Sequence, residues 1–65
     1  MTDETLTRIN LPNGVQYLIH RNEHGYLAIC YDRHRCQIIV LGGAAFLTYQ
    51  AAHARIKADR HERGY

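Results

Sequence analysis

The chain has 65 residues, which suffice for one small domain (residues 1–65) and leave no length for a second. Its hydrophobic fraction of 46% and charged fraction of 22% are typical of a globular protein and exclude an intrinsically disordered one. The net charge of +2 is too small to indicate nucleic-acid binding by itself, although five histidines would make the chain more cationic in mild acid.

The start of the chain carries no targeting signal. Residues 1–10 lack a basic segment followed by an apolar one, which argues against a secretory signal. The longest apolar run is also too short to span a bilayer. We therefore expect a cytoplasmic protein that has no contact with a membrane, with a frayed start over residues 1–4.

The first predicted strand covers residues 5–11 and ends at a turn of residues 11–14. Pro12 presets the first turn position and Gly14 can adopt a positive φ, which is typical of a short hairpin loop. The register that follows pairs Leu11 with Val15, Ile9 with Tyr17 and Thr7 with Ile19.

Three more strands are predicted, at residues 15–21, 26–31 and 36–41. The turn at residues 22–25 places Gly25 at a left-handed position. The turn at residues 32–35 lacks glycine, which favours a four-residue loop around a type I turn. The regular spacing of these turns predicts an antiparallel meander.

Residues 43–62 predict one helix, because they are rich in alanine and contain neither proline nor a glycine after Gly43. A helix of 18–20 residues would be about 27–30 Å long, enough to cross a small sheet. The predicted fold class is α+β: a four-stranded antiparallel meander followed by one C-terminal helix packed on one sheet face (ββββα).

Both faces of the predicted sheet carry apolar side chains, although one helix can cover only one face. The first face is predicted to hold Ile9, Leu11, Val15, Tyr17, Ile19, Leu27, Ile29 and Tyr31. The second is predicted to hold Leu18, Tyr26, Ala28 and Cys30. The fourth strand is apolar on both sides.

The helix pattern also shows two apolar stripes. One consists of Ala44, Leu47, Ala51, Ala54 and Ala58, and the other of Ala45, Tyr49, Ala52 and Ile56. Either both stripes contact the sheet, or one of them meets a second subunit. Because the core of a 65-residue domain is marginal, we expect a homodimer. The expected dimer contact consists of Leu47, Ala51, Ala54 and Ala58.

Two cysteines and five histidines raise the question of a metal site. The spacings Cys30-x5-Cys36 and His20-x3-His24 do not match the paired short spacings of structural zinc sites. A zinc cluster that uses His20 and Cys30 on one sheet face stays an alternative. A Cys30–Cys36 disulfide would require the two residues to lie opposite each other, and it is not expected in a cytoplasmic chain. We expect no metal and no cofactor.

The sequence does not predict an enzyme, and we assign no catalytic residue. The cysteines fall within predicted strands, where a nucleophile is poorly exposed, and no length is left over to form a pocket. A small ribonuclease that uses histidine and arginine is the least implausible enzymatic alternative.

Basic residues cluster in two places, which we expect to form a partner-binding surface: Arg33, His34 and Arg35 in a turn, and His53, Lys57 and Arg60 on one side of the helix. The predicted function is a non-enzymatic protein–protein interaction module that binds and occludes a larger protein complex. Chains of this size are common among phage and mobile-element accessory inhibitors, including anti-CRISPR proteins. The alternative is a small nucleic-acid-binding regulator that uses the same basic turn and helix residues.

Overall fold

Four antiparallel strands form one sheet in the order β1-β2-β3-β4, and one helix follows them and packs on the sheet, which confirms the predicted fold class. A computed structural model describes residues 3–65 of the chain. The elements are β1 (Glu4–Asn10), β2 (Val15–Asn22), β3 (Gly25–Asp32), β4 (Gln37–Phe46) and α1 (Tyr49–Arg63). Residues 1 and 2 of the expected frayed start lie outside the described residues, but Glu4 already pairs with Arg21.

The register of β1 on β2 confirms the predicted one. Thr7 lies opposite Ile19 and Ile9 lies opposite Tyr17, and the Leu11 N–H donates to the Val15 carbonyl oxygen at 2.9 Å. A bulge between residues 5 and 7 shifts the register near the start of β1.

The assignment of β3 side chains to the two faces was wrong. Asn22 pairs with Gly25, so only two residues separate β2 from β3, and Tyr17 lies opposite Cys30. Residues directly opposite each other in a sheet point to the same face. The face of Tyr17 therefore holds Tyr26, Ala28 and Cys30, while Leu27, Ile29 and Tyr31 lie on the other face.

The turn between β3 and β4 has the predicted four residues but is displaced by one position. Asp32 pairs with Gln37, so the loop covers residues 33–36. Cys36, which has a φ of 50°, closes this turn instead of beginning the strand. Since Cys30 lies opposite Ile39, the two cysteines do not face each other, and both are free thiols.

The helix begins six residues later than predicted, because β4 continues to Phe46. Tyr26 pairs with Phe46 and Ala28 pairs with Leu41, so residues 42–45 of β4 bulge out opposite the single residue between Tyr26 and Ala28. Within this bulge Gly42 and Gly43 have φ values of 78° and 75°. Cross-strand pairing overrides the helix propensity of the alanines in this segment. Gly25 fits here because a Cβ at this position would lie 2.3 Å from the Phe46 carbonyl oxygen.

Caps define both ends of α1. The Thr48 hydroxyl accepts the Ala51 N–H at 3.1 Å, which makes Thr48 the N-cap. At the other end Gly64 adopts a left-handed conformation, and the Tyr65 N–H donates to the Arg60 carbonyl at 2.8 Å. Basic side chains in the last turn favour this terminus through the helix dipole.

The core lies between α1 and the face of the sheet that carries Tyr17, which we call the inner face. Helix residues Ala52 and Ile56 are buried against it, so the stripe that contains them is the core stripe. Its expected first member, Ala45, belongs to β4. The buried apolar residues are Val15, Tyr17, Ile19, Ala28, Cys30, Leu41, Ala52 and Ile56.

Candidate protein-binding surface

The opposite face of the sheet, which we call the outer face, carries a continuous group of apolar side chains that α1 does not cover. In this group Leu18 lies opposite Ile29, and Ile29 in turn lies opposite Val40. All of its members are half-buried or exposed, and the side chain of Ile38 is 69% exposed. The group consists of Leu18, Leu27, Ile29, Tyr31, Ile38 and Val40.

Two basic residues, Arg8 and His20, border the apolar group of the outer face. Arg8 lies opposite Leu18, and His20 lies opposite Leu27. Within residues 3–65, none of the side chains that the strand register places on this face is acidic. The charge of Arg8 at the margin of this apolar patch fits a partner whose own apolar patch is bordered by carboxylates.

The predicted basic turn lies at one end of the sheet. Arg33 and Arg35 have exposed side chains, and the Nε atom of Arg35 is 3.9 Å from a carboxylate oxygen of Asp32. The Asp32 carboxylate also accepts the backbone N–H groups of His34 and Arg35, which fixes the turn. His34 is held as well, because its Nε2 atom lies 3.0 Å from the Asn13 carbonyl oxygen. His34 therefore has a structural contact, while the two arginines are presented to solvent.

The predicted basic residues of the helix differ in their surroundings. His53 is half-buried and stacks on Tyr49, with ring centroids 6.0 Å apart. Lys57 is exposed and lines, together with these two rings, a shallow groove of about 320 Å³. Arg60 is half-buried, and its guanidinium donates to the Tyr65 carbonyl at 3.5 Å.

The structure brings the basic turn and the end of α1 to the same end of the molecule. Asn13 contacts His34 on one side and, on the other, lines a groove of about 400 Å³ with Gly64 and Tyr65. This end therefore presents Arg33 and Arg35 from the turn together with the basic residues of the last helical turn, Arg60, His61 and Arg63, of which Arg63 is paired with Asp59. His53 lies nearer to the start of α1 and does not belong to this group.

The four residues expected at a dimer contact do not form one helical stripe. Leu47 precedes the N-cap, so it is not part of α1, and its side chain is 91% exposed. Ala51, Ala54 and Ala58 are exposed on the side of the helix that faces away from the sheet.

One buried polar cluster was not predicted from the sequence. The Tyr17 hydroxyl donates to the Asp59 carboxylate at 2.7 Å, and the Nε atom of Arg63 donates to the same oxygen at 2.8 Å. Asp59 is only 4% exposed. The spacing of Ala52, Ile56, Asp59 and Arg63 along one helix face is the signal that would have found it.

Ionisation within this cluster is shifted by burial. Desolvation, followed by the hydrogen bond to Asp59, raises the pKa of Tyr17 above its usual range. Desolvation also raises the pKa of the neighbouring Cys30 thiol. Although desolvation opposes it, the Asp59 carboxylate raises the pKa of Arg63. Tyr17 and Asp59 are buried and Arg63 is exposed, and their hydrogen bonds fix the C-terminal half of α1 to β2.

No three histidine, cysteine or carboxylate side chains in residues 3–65 converge to hold a metal ion. The alternative zinc cluster required His20 and Cys30 on one sheet face. The register instead puts His20 on the outer face, opposite Leu27, and Cys30 on the inner face.

No family model, no curated protein and no solved structure matches this chain. Over the described residues, α1 is neither long enough nor apolar enough to cross a bilayer.

Proposed function

We propose that this protein is a non-enzymatic protein-binding module that docks through its outer face onto a larger protein complex and occludes it. The observation that carries the proposal is the uncovered apolar group on β2, β3 and β4. An inhibitor encoded by a phage or mobile element, of the anti-CRISPR type, is the form of this function that fits a chain of this size.

The extent of the outer apolar group supports a docking role. The group spans three strands at about 4.8 Å spacing, and its members on β3, residues 27–31, cover about 17 Å at about 3.3 Å per residue. The largest apolar patch on the surface of a monomer is often a functional site. Ile29 lies at its centre, between Leu18 and Val40, where the residues that dominate binding energy are usually found.

The basic end of the molecule supplies the second element of recognition. Arg33 and Arg35 belong to the turn that follows the Tyr31–Ile38 pair, where the apolar group ends, and both residues are exposed. A partner with acidic side chains at the margin of its apolar patch would be steered and oriented by these cations.

The test is affinity capture from lysate of the source cell, followed by measurement of binding to the captured complex. Leu18→Lys puts a charge in the apolar group of the outer face, directly opposite Ile29, and is expected to weaken binding at least about 10-fold. The matched control is Ala58→Lys, which adds the same charge on the exposed side of the helix and should leave affinity within about 2-fold. A folded Leu18→Lys variant that binds as tightly as the wild type would refute the proposed surface.

Nucleic-acid binding is the second candidate, favoured by the cations gathered at one end of the molecule. Such binding would weaken steeply as salt rises, because phosphate contacts release counterions. The double change Arg33→Glu and Arg35→Glu should abolish a nucleic-acid complex and only weaken a protein complex that depends on the outer face. Absence of a mobility shift at low salt would eliminate this candidate.

A further inference from the structure

The two edge strands of the sheet differ in how they are protected. β1 carries Glu4 and Arg8 and has a bulge between residues 5 and 7, and charges and bulges of this kind discourage pairing with another chain. The other edge, β4, carries no such feature over residues 37–41, which read QIIVL.

The unprotected edge belongs to a long uncharged segment. No aspartate, glutamate, lysine or arginine occurs between Arg35 and Arg55. Ile38 and Val40 on the outer face are 69% and 41% exposed, and Ile39 on the inner face is 36% exposed, whereas Leu41 is buried in the core. An exposed apolar edge strand has free backbone N–H and C=O groups and is a template for a further strand.

We propose that β4 pairs antiparallel with β4 of a second copy, with the two-fold axis passing through Ile39. In this register Ile38 of each copy lies opposite Val40 of the other, and the two Ile39 side chains lie opposite each other. Gln37 lies opposite Leu41. All the central pairs are therefore apolar, and such pairs are the unit of sheet stabilisation.

The alternation of side chains selects this register. Ile38 and Val40 point to the outer face, whereas Ile39 points to the inner face. A shift by one residue would place Ile38 opposite Ile39 and would join the outer face of one copy to the inner face of the other. The Ile39-centred register keeps like faces together and pairs all five residues.

A second copy fits this edge because the segment is complementary to itself. A two-fold axis brings identical groups together, and residues 37–41 contain no charge that would repel its own copy. A ladder of five residues is about 17 Å long, which is a small contact, so association is expected in the range of weak interfaces.

Pairing at β4 would also enlarge the docking surface. An axis perpendicular to the sheet puts both helices on one side and both outer faces on the other, in one eight-stranded sheet. The enlarged docking surface rests on the proposed function. The pairing of the two β4 strands does not, because it is measured on the purified protein without the proposed binding partner.

The test is sedimentation of the whole chain between about 5 µM and about 500 µM, a range over which mass action reveals weak dimers. The wild type is expected to become dimeric as concentration rises. Ile39→Lys and Ile39→Glu each place like charges across the axis and should weaken dimerisation at least about 10-fold. An equimolar mixture of the two variants should associate again, because opposite charges then meet.

A wild type that stays monomeric at the highest concentration would overturn the proposal, as would a mixture that fails to associate. If Ala58→Lys loses the dimer, the contact lies on the helix and not at β4. If Leu18→Lys loses the dimer while Ile39→Lys keeps it, the contact lies on the outer face and not at β4. If the Ile39 variants do not fold, hydrogen exchange of the wild type tests the pairing instead. The amides of residues 37–41 should exchange more slowly as the protein concentration rises, and exchange rates that do not change with concentration would refute the pairing.

Discussion

The inner and outer faces of the sheet are both apolar, but only the inner face is a core. On the inner face Tyr17 and Ile19 are fully buried beneath Ala52 and Ile56, whereas on the outer face the side chain of Ile38 is largely exposed. Hydrophobic residues alone therefore do not determine where the core of this protein lies. The strand register and the position of α1 decide which face contributes to stability and which is left for binding.

The largest expected effect comes from Ile56→Ala, which removes the main helix side chain from the inner face. Truncation of a buried isoleucine leaves a cavity, and we expect a loss of about 2–5 kcal/mol of unfolding free energy. Urea denaturation measures it. Ile38→Ala is the matched control on the outer face and should cost less than about 1 kcal/mol. Equal losses for the two variants would show that both faces contribute to the core.

The next largest loss of unfolding free energy is expected from Asp59→Ala, which leaves the buried Tyr17 hydroxyl without an acceptor. We expect a loss of about 1–3 kcal/mol, the usual range for an unsatisfied buried polar group. The double variant with Tyr17→Phe should lose less than the sum of the two single changes, by at least about 0.5 kcal/mol, because the residues are in contact. Additive losses in denaturation experiments would contradict a direct interaction.

A smaller, graded effect is expected at high pH. Burial raises the pKa of Tyr17 and of Cys30, so the folded state keeps protons that the unfolded chain loses above about pH 8.5 for cysteine and about pH 10 for tyrosine. Stability is therefore fully present below about pH 8.5 and falls as the pH rises, by up to about 1.4 kcal/mol per pH unit for each group. Urea denaturation from pH 7 to pH 11 measures the slope. Tyr17→Phe should flatten the decline above pH 10.

The smallest effect on stability is expected from Ile38→Thr on the outer face. Threonine keeps the β-branched shape that suits a strand, so the unfolding free energy should change by no more than about 0.5 kcal/mol. Because the change removes apolar surface, capture of the proposed partner should nevertheless weaken. A loss of stability comparable to that of Ile56→Ala would indicate that the outer face is already part of a folded core.

The meander and the first hairpin could be predicted from the sequence because local signals determine them. Pro12 and Gly14 define the first turn, and the pairing of Ile9 with Tyr17 follows from its length. The assignment of the β3 side chains to the inner and outer faces was wrong because only two residues lie between the paired positions at the turn before Gly25. A change of one position in the register moves every side chain of a strand to the opposite face of the sheet.

The start of the helix and the buried cluster depend on tertiary contacts. Residues 43–46 have helix propensity, but pairing of Tyr26 with Phe46 keeps them in β4 until Thr48 caps the helix. The acceptor role of Asp59 becomes visible only in the folded structure, where the Tyr17 hydroxyl donates to its carboxylate. The surplus of apolar residues could be inferred from the sequence, whereas the face that stays uncovered depends on the register.

The order of the strands has a consequence for folding kinetics. Each strand pairs with the next one in the chain, so the hairpins can form from local contacts on a timescale of about 1–10 µs. The Thr7–Tyr49 and Tyr17–Asp59 hydrogen bonds instead each join residues 42 positions apart, and closing such a loop has a larger entropic cost. We therefore expect docking of α1 to be a late step of folding, and stopped-flow kinetics of Asp59 variants should show faster unfolding with little change in the folding rate.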